Sequence, residues 1–444
     1  MTNDQFGLPH DLGDGLVLRW GTPADAEELG AFNMRIHSDN PEEPETFLAD
    51  WTRNLMSGEH PTTNAGDFTV VVDKKNDSQI VSSMNLISQT WAYDGIPFGF
   101  GRPELVGTDD GYRRRGLVKA QFDAIHARSA AKGEMVLGIT GIPWYYRQFG
   151  YEMALDLGGS RLFFWARPDN DKRVEREAYR LRPATPEDIP LLEELYAIHC
   201  SGSLLVRIRD QVLWQYELFD ANRELPYARH VYIVEMEAGP AVGYVEYRQW
   251  KHFFVVRELA VLAGHSLRAV ALFLTRALKA QADELNKTRE QPIDHISFGL
   301  GAAHPVYQAL ERELEKERKP YAWYMRVPDL PAFVRHIAPV LAKRLATSVV
   351  SGYTGSLKLN FYRDQLEMAF KEGKLVDVNP YSPEHFFDAD AFLPDLTFLQ
   401  LLFGYRNLDE LNYARADCFP NNADAAALLN ALFPKQHSWA VELG

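Results

Sequence analysis

The sequence predicts two tandem copies of one α/β fold, followed by a smaller α+β domain. At about 150 residues per domain, the length of 444 residues suggests roughly three domains. A strand ending in Leu-Arg, then Thr-Pro and an acidic helix start, occurs at residues 16–25 and again at residues 179–189. From about Pro339 this pattern is replaced by short strands followed by helical stretches. We therefore expect three domains, at residues 1–170, 178–330 and 338–444.

The first copy alternates strand and helix signals. After a strand at 16–19, Thr22 is a candidate helix N-cap with Pro23 in the first turn. Two β-rich runs at 67–72 and 79–88 flank a polar turn, which predicts a hairpin. The rest of the copy predicts, in order, a strand at 103–108, an amphipathic helix from about 116 to 132 and an apolar strand at 135–140.

The second copy repeats this order after a charged linker candidate at 167–177. Its runs at 232–236 and 242–248 match the hairpin of the first copy. A strand at 259–262 and a helix at 267–285 match the strand and helix around position 110. The third domain is expected to contain strands at 356–361, 365–370 and 373–378 and helices at 396–403 and 423–432.

Composition limits the class of protein. Hydrophobic residues make up 46% and charged residues 24%, which excludes a disordered chain, collagen and a membrane bundle. No apolar run approaches the ~20 residues of a bilayer span, and the N-terminus lacks a secretory pattern. Cys200 and Cys418 are too few for a disulfide framework or a cysteine-based zinc site, and no histidine spacing is typical of a metal site. We expect a cytoplasmic protein without a metal.

The charge balance is acidic. The chain has 47 Lys and Arg against 61 Asp and Glu, a net charge of −14. Residues 1–170 hold 15 basic and 24 acidic residues, a net charge of −9. This balance opposes nucleic-acid binding, which needs a basic face. It favours a cationic ligand, although solubility alone is an alternative explanation.

Residues 106–118, Val-Gly-Thr-Asp-Asp-Gly-Tyr-Arg-Arg-Arg-Gly-Leu-Val, carry the strongest local chemical signal. They predict a strand, a loop and a helix start. The first N–H groups of a helix lack intrahelical partners, and the helix dipole adds positive charge there. Gly116 lets an anion approach the backbone, and three arginines precede it. The segment predicts a pyrophosphate site that differs from the Walker and dinucleotide motifs; a solvated basic patch is the alternative.

Residues 143–151, Pro-Trp-Tyr-Tyr-Arg-Gln-Phe-Gly-Tyr, form a second signal. Aromatic residues at this density usually belong to the core. A tyrosine hydroxyl in a cleft can also act as a general acid when its proton is positioned for transfer.

In this order, the two segments resemble the GNAT superfamily of acyl-CoA-dependent N-acetyltransferases. The phosphate motif of that family reads Arg/Gln-x-x-Gly-x-Gly/Ala, and here it is Arg113-Arg-Arg-Gly116-Leu-Val118, with Val at the last position. The family's tyrosine lies four residues before the Gly of a closing Gly-aromatic pair, as Tyr146 does before Gly150-Tyr151. Two GNAT-like halves and a third domain further resemble the enhanced-intracellular-survival acetyltransferases, whose C-terminal domain is similar to a sterol carrier protein.

The resemblance implies a site for acetyl-CoA. The strand end at 106–108 would offer backbone groups to the pantetheine arm, and residues 114–119 would hold the pyrophosphate. Tyr146 would protonate the leaving thiolate. In the family the terminal carboxylate is the base, here that of Gly444; Glu442 or a water chain is the alternative. The expected acetyl-CoA-binding residues are Val106, Gly107, Thr108, Arg113, Arg114, Arg115, Gly116, Leu117, Val118, Lys119, Gly141 and Ile142.

The second copy lacks this chemistry. Residues 259–270 stand where the phosphate turn should be, without its pattern. His304-Pro-Val-Tyr307 could echo the tyrosine segment, but we interpret this half as structural. The adjacent pair His199-Cys200 is interpreted as core, because neighbouring helical residues do not face each other.

We expect direct acetyl transfer from acetyl-CoA to a primary amine. Asp39, Glu42, Glu43 and Glu45 favour a polycationic acceptor, such as an aminoglycoside, a polyamine or a lysine side chain. The resemblance points first to aminoglycosides and other multi-amine compounds. The alternatives are a non-catalytic acyl-CoA-binding or scaffold protein and a protein-lysine acetyltransferase. No nucleic-acid or membrane partner is expected, and the resemblance implies a homo-oligomer, often a hexamer in that family.

Overall fold

The structure is a computed structural model that describes residues 7–40, 42–167, 174–221 and 228–440. Contacts divide the chain into two units. The first comprises the residues up to Leu155 together with Trp323–Gln436, and the second comprises Asp156–Ala322 with the residues from His437 onward. Within the described ranges, no helix is both long and apolar enough to cross a membrane.

The N-terminal part of the first unit follows the predicted order of elements. They are β1 (His10–Gly13), β2 (Leu16–Trp20), α1 (Ala26–His37), α2 (Phe47–Met56), β3 (Phe68–Asp73), β4 (Gln79–Tyr93), β5 (Ile96–Thr108), α3 (Leu117–Ala131), β6 (Val136–Ile139) and β7 (Glu152–Leu157). The predicted hairpin is confirmed as the antiparallel pair of β3 and β4. The strand expected at 103–108 is the second half of a much longer β5, and α2 was not predicted from the sequence.

The second unit repeats this order. Its elements are β8 (Arg161–Phe164), β9 (Tyr179–Pro183), α4 (Ile189–His199), β10 (Leu205–Arg207), α5 (Gln211–Gln215), β11 (Val231–Met236), β12 (Ala241–Trp250), β13 (Phe253–Val261), α6 (Leu267–Leu285), β14 (His295–Phe298) and α7 (Val306–Ala309). The predicted strand at 259–262 is the end of β13, and the predicted helix at 267–285 is α6.

The remaining elements follow the second copy in the chain. They are β15 (Tyr321–Arg326), α8 (Leu330–His336), α9 (Ala338–Ala346), β16 (Gly355–Asn360), β17 (Gln365–Lys371), β18 (Lys374–Pro380), β19 (Ala391–Phe392), α10 (Phe398–Leu402), α11 (Leu408–Ala414), β20 (Phe419–Pro420) and α12 (Ala423–Leu432). Strands β16 to β20 form a sheet in the order β18-β17-β16-β19-β20, and α8 and α9 pack on β18. The three strands and two helices predicted for this region are confirmed, with bounds shifted by a few residues.

Six strands have the same order in the two α/β sheets. The first sheet runs β1-β2-β3-β4-β5-β6-β15-β7, and the second, read from its other end, runs β9-β11-β12-β13-β14-β8. In each sheet four antiparallel strands (β2, β3, β4 and β5, or β9, β11, β12 and β13) lead to one parallel neighbour, β6 or β14. An antiparallel strand, β15 or β8, then pairs with that neighbour. This is the tandem α/β fold that the internal repeat predicted.

Chain order and sheet membership differ for two strands. β8 lies within the predicted first domain yet pairs with β14 in the second unit. β15 lies within the predicted second domain yet pairs with β6 in the first unit. The domain boundaries at 170, 178, 330 and 338 therefore stay a prediction from the sequence. They do not coincide with the boundaries of the two structural units.

The repeated sequence motif has a repeated hydrogen-bond pattern. Arg19 of β2 contacts the Asp25 carboxylate through both terminal nitrogens, at 2.8 and 2.7 Å, and that carboxylate also accepts the Thr22 N–H at 2.7 Å. In the second copy Arg182 contacts Asp188 at 2.6 and 2.7 Å, and Asp188 accepts the Thr185 N–H at 2.8 Å. Thr22 caps a single 3₁₀ turn, Pro23–Asp25, which leads into α1. The motif thus fixes the entry of each first helix.

Candidate active site

Two parallel strands of the first unit position the site. β5 and β6 pair at Phe100–Val136 and Gly101–Leu137. β6 ends at Ile139, while β5 continues to Thr108, so the two strands separate beyond this point. The segments that follow both strands emerge at the same edge of the sheet, where ligands of open α/β sheets usually bind. The predicted residues from Val106 to Lys119 and from Gly141 to Tyr146 therefore come together at one edge.

A β-bulge shapes the end of β5. Ser83 of β4 pairs with Gly107 and Asn85 pairs with Glu104, so two residues of β5, Leu105 and Val106, oppose one residue of β4. Leu105 has a φ of +51°. A bulge removes backbone groups from the regular ladder. Leu105 is buried and its backbone hydrogen-bonds to His37, so the half-buried Val106 is the bulge residue left to contact a ligand.

Glycine is required at position 107 because of the helix packed beside it. A Cβ at Gly107 would lie 2.9 Å from Cγ2 of Ile36 and 3.3 Å from Nε2 of His37, both on α1. Thr108, the next residue, shares a 2.7 Å hydrogen bond with the hydroxyl of Ser82, whose Oγ also lies 2.8 Å from Oε1 of Gln121 on α3. The strand end is therefore fixed both to α1 and to α3.

The helix that follows begins without a side-chain cap. Gly116 is the N-cap of α3 with a φ of +78°, and Arg114 in the preceding turn has a φ of +63°. The first intrahelical bond runs from the Ala120 N–H to the Gly116 carbonyl, at 3.1 Å. The N–H groups of the first helical turn thus have no partner within the helix, and the positive end of the helix dipole adds to them. This arrangement suits a phosphate or another anion.

The basic side chains of this turn are exposed and only weakly engaged. Arg113 pairs with Asp110 at 2.7 Å and donates from Nε to the Thr108 carbonyl at 3.2 Å. Arg115 lies over the ring of Tyr112, and Lys119 pairs with Asp123 at 2.8 Å. Exposed ion pairs contribute about 0–1 kcal/mol. These cations can therefore exchange their present partners for an anionic ligand at little cost.

Tyr146 faces this edge from the other strand end. It begins the short 3₁₀ helix Tyr146–Phe149, and its ring is 3% exposed among Phe122, Tyr145 and Tyr324. Its hydroxyl lies 3.9 Å from the position that a Cβ on Gly141 would take. Burial, and then the charge of Glu104, raise the pKa of Tyr146 well above its ordinary value. The phenol therefore keeps its proton at neutral pH and can donate it.

Sequence reasoning missed Glu104. It lies at the bulge on β5, its side chain is 18% exposed, and it pairs at 2.6 Å with the buried Arg102. Its charge acts on the Tyr146 hydroxyl. The available signal was a pair of opposite charges, Arg102 and Glu104, inside a mostly apolar strand, because charged residues are rarely buried without a partner or a role.

Sequence reasoning also missed Tyr324, which comes from β15. Its hydroxyl accepts the Trp144 N–H at 2.5 Å and donates to the Ile142 carbonyl at 3.4 Å. Trp144 is 69% exposed and has a φ of +64°, an uncommon conformation for a bulky residue. Tyr324 therefore holds the segment from Gly141 to Tyr146 in place. No local sequence pattern could have related Tyr324 to a loop 180 residues earlier in the chain.

A run of acidic residues follows α1. Asp39, Glu42, Glu43 and Glu45 are all exposed, and we name these four residues the acidic segment. The end of α1, just before them, contacts the site: Arg35 donates to the Asp109 carboxylate, with Nη2 3.2 Å from Oδ2, and His37 lies beside Gly107.

Other predictions for the site have separate outcomes. Gly444, the predicted base, and Glu442 lie outside the described residues. The second copy differs at its equivalent helix start, because the Ser266 side chain caps α6 by accepting the Ala269 N–H at 3.2 Å. In the part of the chain that the structure describes, no three His, Cys, Asp or Glu side chains gather as a potential metal site.

Known proteins resemble this chain both in the sequence of one domain and in fold. Residues 36–154 match the model of the acetyltransferase (GNAT) domain family. No curated protein matches by sequence. The fold is similar to a conserved protein of Enterococcus faecalis V583 described as a probable N-acyltransferase, with a TM-score of 0.67 and 16% identity over 95% of this chain and 97% of that one.

Two further solved structures share the fold over nearly the whole chain. A GCN5-related N-acetyltransferase from Kribbella flavida has a TM-score of 0.64 and 19% identity, covering 95% of this chain and 97% of that one. Eis1 from Mycobacterium abscessus has a TM-score of 0.58 and 16% identity, covering 96% of this chain and 99% of that one. At these identities the likeness is one of fold.

We predict that Tyr324→Phe loosens the segment it holds. Loss of the hydroxyl removes a partner from the Trp144 N–H, which costs about 1 kcal/mol of local stability, or about fivefold in the opening equilibrium. Hydrogen exchange followed by mass spectrometry should show faster exchange in residues 141–146. Tyr353→Phe is the control, because its hydroxyl bonds the Ser356 carbonyl elsewhere in the same unit. Unchanged exchange at 141–146 in Tyr324→Phe would remove this role.

Proposed function

We propose that this protein, a GNAT-type N-acetyltransferase by its domain at residues 36–154, transfers the acetyl group of acetyl-CoA to a primary amine of a polycationic acceptor. The observation that supports it most is the meeting at one sheet edge of an uncapped helix start, a strand bulge and a buried tyrosine hydroxyl. These are the groups that an acyl-CoA thioester requires: an anion site, a backbone surface and a proton donor.

The residues present fit acetyl-CoA. The N–H groups of Leu117, Val118 and Lys119, with the arginines at 113–115, would hold the pyrophosphate. Backbone groups of Val106, Gly107 and Thr108 would bind the pantetheine arm along the bulged strand. The Gly141 and Ile142 backbone would lie against the thioester, because the Tyr146 hydroxyl is close to Gly141.

The proposed reaction is a direct displacement. The amine nitrogen forms a bond to the carbonyl carbon, and the carbon–sulfur bond breaks. Tyr146 donates its proton to the departing sulfur, and a base removes the surplus proton from the amine, so that an amide and free CoA thiol leave. Holding both reactants at one edge supplies much of the rate enhancement. Tyr324 contributes by fixing the backbone that precedes Tyr146.

The acidic segment supports a polycationic acceptor. Its four carboxylates are exposed, and they follow the end of α1, which packs against Gly107 at the end of β5. Several carboxylates close together in sequence attract cations and raise their local concentration. Aminoglycosides and polyamines carry several ammonium groups at a spacing that can use more than one carboxylate. Cytoplasmic location, homo-oligomerisation and a sterol-carrier-like domain at 338–444 remain predictions from the sequence.

We predict that Tyr146→Phe abolishes most turnover. Without the phenol proton the thiolate departs unprotonated, so kcat should fall by about 10²-fold or more. The assay follows thiol release from acetyl-CoA with aminoglycosides, polyamines and lysyl peptides, beside a reaction without acceptor. Acetyl-CoA affinity, measured by calorimetry, should change by less than about twofold, because the anion site is intact.

Tyr145→Phe is the matched control for this experiment, since its ring packs against Tyr146 and its hydroxyl has no assigned role. Wild-type turnover in Tyr146→Phe would remove it from the mechanism. Acetyl-CoA binding without thiol release from any acceptor would favour the acyl-CoA-binding alternative. Release with lysyl peptides alone would favour a protein-lysine acetyltransferase.

We predict that Glu104 is not the base, because its carboxylate is paired with the buried Arg102. Glu104→Gln keeps the shape of the side chain and should change the pH profile of kcat/KM little. A fall of about 10²-fold near neutral pH in Glu104→Gln, with recovery at higher pH where the free amine predominates, would make Glu104 the base. The assignment of the base to Gly444 stays a prediction from the sequence.

We predict that neutralising the acidic segment weakens acceptor binding selectively. Replacing its residues by Asn and Gln should raise KM for spermine about tenfold at low salt and leave KM for a monoamine within about twofold, because screening and valence govern such attraction. The control neutralises exposed acids of the second unit, Glu193, Glu194, Glu284 and Glu290. Equal effects on both amines, or on both variants, would contradict a role in recognition.

A further inference from the structure

The second unit contains a cavity outside the site described above. Its volume is about 190 Å³. It lies where β13 runs past the end of β14: the two strands pair as far as Val256–Phe298, and β13 then continues to Val261. The walls come from the end of α4, the loop after β14 and the chain after Gln436. The lining residues that matter here are His199, Leu300, Gly301, His304, Pro305 and Trp439. We call it the second-unit cavity.

Two buried histidines of this cavity share one carbonyl oxygen. Nε2 of His304 lies 2.9 Å from the Leu259 oxygen, and Nδ1 of His199 lies 3.2 Å from the same atom. A carbonyl oxygen can only accept, so these two contacts place a proton on Nε2 of His304 and on Nδ1 of His199. The Leu259 N–H also lies 3.5 Å from Nδ1 of His199, but the contact of Nδ1 with the oxygen is the shorter one, and we assign the proton by it. His304 is then complete, because its Nδ1 accepts the Val306 N–H at 3.2 Å. His199 is left with an unprotonated Nε2 that can only accept.

That acceptor has a counterpart in the same cavity. Nε2 of His199 and Nε1 of Trp439 are both buried and have no hydrogen-bond partner among the described residues. The two residues are 8% and 7% exposed, and their rings meet edge to face with centroids 4.7 Å apart. Buried polar atoms are almost always satisfied, and each exception needs an explanation. One site thus presents an unsatisfied acceptor beside an unsatisfied N–H donor.

The surroundings favour a neutral ligand. Burial lowers the pKa of His199, and it lowers that of His304 to about 3, so both rings are uncharged. Three guanidinium groups, of Arg207, Arg209 and Arg229, face two carboxylates, of Glu217 and Glu258, in a buried cluster whose charges reach His199. Its positive balance opposes a cationic ligand, and the lone pair of His199 opposes an anion.

Part of the cavity lining is apolar, which favours a ligand with an apolar body. Leu300, Pro305 and the Trp439 ring line the cavity, and Gly301 lies so close to the indole that a Cβ would be 3.0 Å from it. A cavity of about 150 Å³ accommodates benzene, whereas one water occupies about 30 Å³. The second-unit cavity is therefore large enough for a substituted aromatic ring or a compact aliphatic molecule.

We propose that the second-unit cavity binds a small neutral hydroxyl compound of about the size of phenol. The hydroxyl donates to Nε2 of His199 and accepts from Nε1 of Trp439, and the apolar body lies against Leu300 and Pro305. The second copy of the fold then has a ligand site of its own, where its two parallel strands separate. This inference is independent of the proposed acetyl transfer.

The test is a titration of the full chain, labelled with ¹⁵N-tryptophan, with phenol and with toluene. The indole N–H resonance of Trp439 is identified among those of the nine tryptophans by its absence in Trp439→Phe. Phenol should shift that resonance saturably, and toluene, which lacks the hydroxyl, should bind at least about tenfold more weakly. Equal effects of the two compounds, or no shift of Trp439 at any soluble concentration, would overturn the proposal.

Two variants test which side chains contact the phenol hydroxyl. His199→Asn keeps an amide N–H near the Nδ1 position but removes the Nε2 acceptor, so phenol affinity by calorimetry should fall about tenfold. His295→Asn is the control, a buried histidine of the same unit that does not line the cavity. Trp439→Phe keeps an aromatic ring and removes only the donor, and it should weaken phenol binding even if His199→Asn does not fold. Unchanged affinity in Trp439→Phe would overturn the proposal.

Discussion

The structure of the first unit depends on the separation of two parallel strands, β5 and β6. The two strands pair over only a few residues. Beyond that point β5 continues without β6, paired only with β4, and a bulge at Leu105 interrupts this pairing. Everything assigned to the site follows from this geometry. Helix α3, with its uncapped first turn, starts just beyond the end of β5, and the tyrosine segment follows the end of β6. A regular sheet with both strands paired to their ends would leave no backbone surface between them.

The site is held by contacts from several directions. Gly107 packs on α1, Thr108 is linked through Ser82 to α3, and Tyr324 of β15 fixes the loop before Tyr146. Tyr146 itself is surrounded by aromatic rings, which keep its phenol protonated while leaving the hydroxyl next to Gly141. Packing of this kind fixes the position of a protonated hydroxyl in advance, which is the preorganisation that an active site requires.

The two copies show how one fold can carry different sites. Both use the same Arg-Asp-Thr pattern to start the first helix, and both separate their parallel strands at the same point. In the second copy a serine caps the helix that would bind phosphate, and two histidines fill part of the gap by sharing the Leu259 carbonyl. The second copy thus has a capped helix start and a cavity lined by uncharged histidines. The backbone geometry was therefore retained while the chemistry changed.

The sequence by itself determined the repeat, most of its strands and helices, and the two chemical segments around Arg113–Gly116 and Tyr146. These features are local: periodicity, capping residues and a motif of adjacent residues are all expressed within short stretches of chain. The acidic segment was equally visible as a run of carboxylates.

Only the tertiary structure decided which distant residues meet. It placed β15 beside β6, so that Tyr324 reaches a loop preceding it by about 180 positions in the chain. It also created the bulge that brings Glu104 to Tyr146, and it set His199 and His304 on one carbonyl. Such contacts depend on sheet order and register, and no short-range pattern encodes them. The physical reason is that side chains far apart in sequence come together in a site only after the sheet has formed.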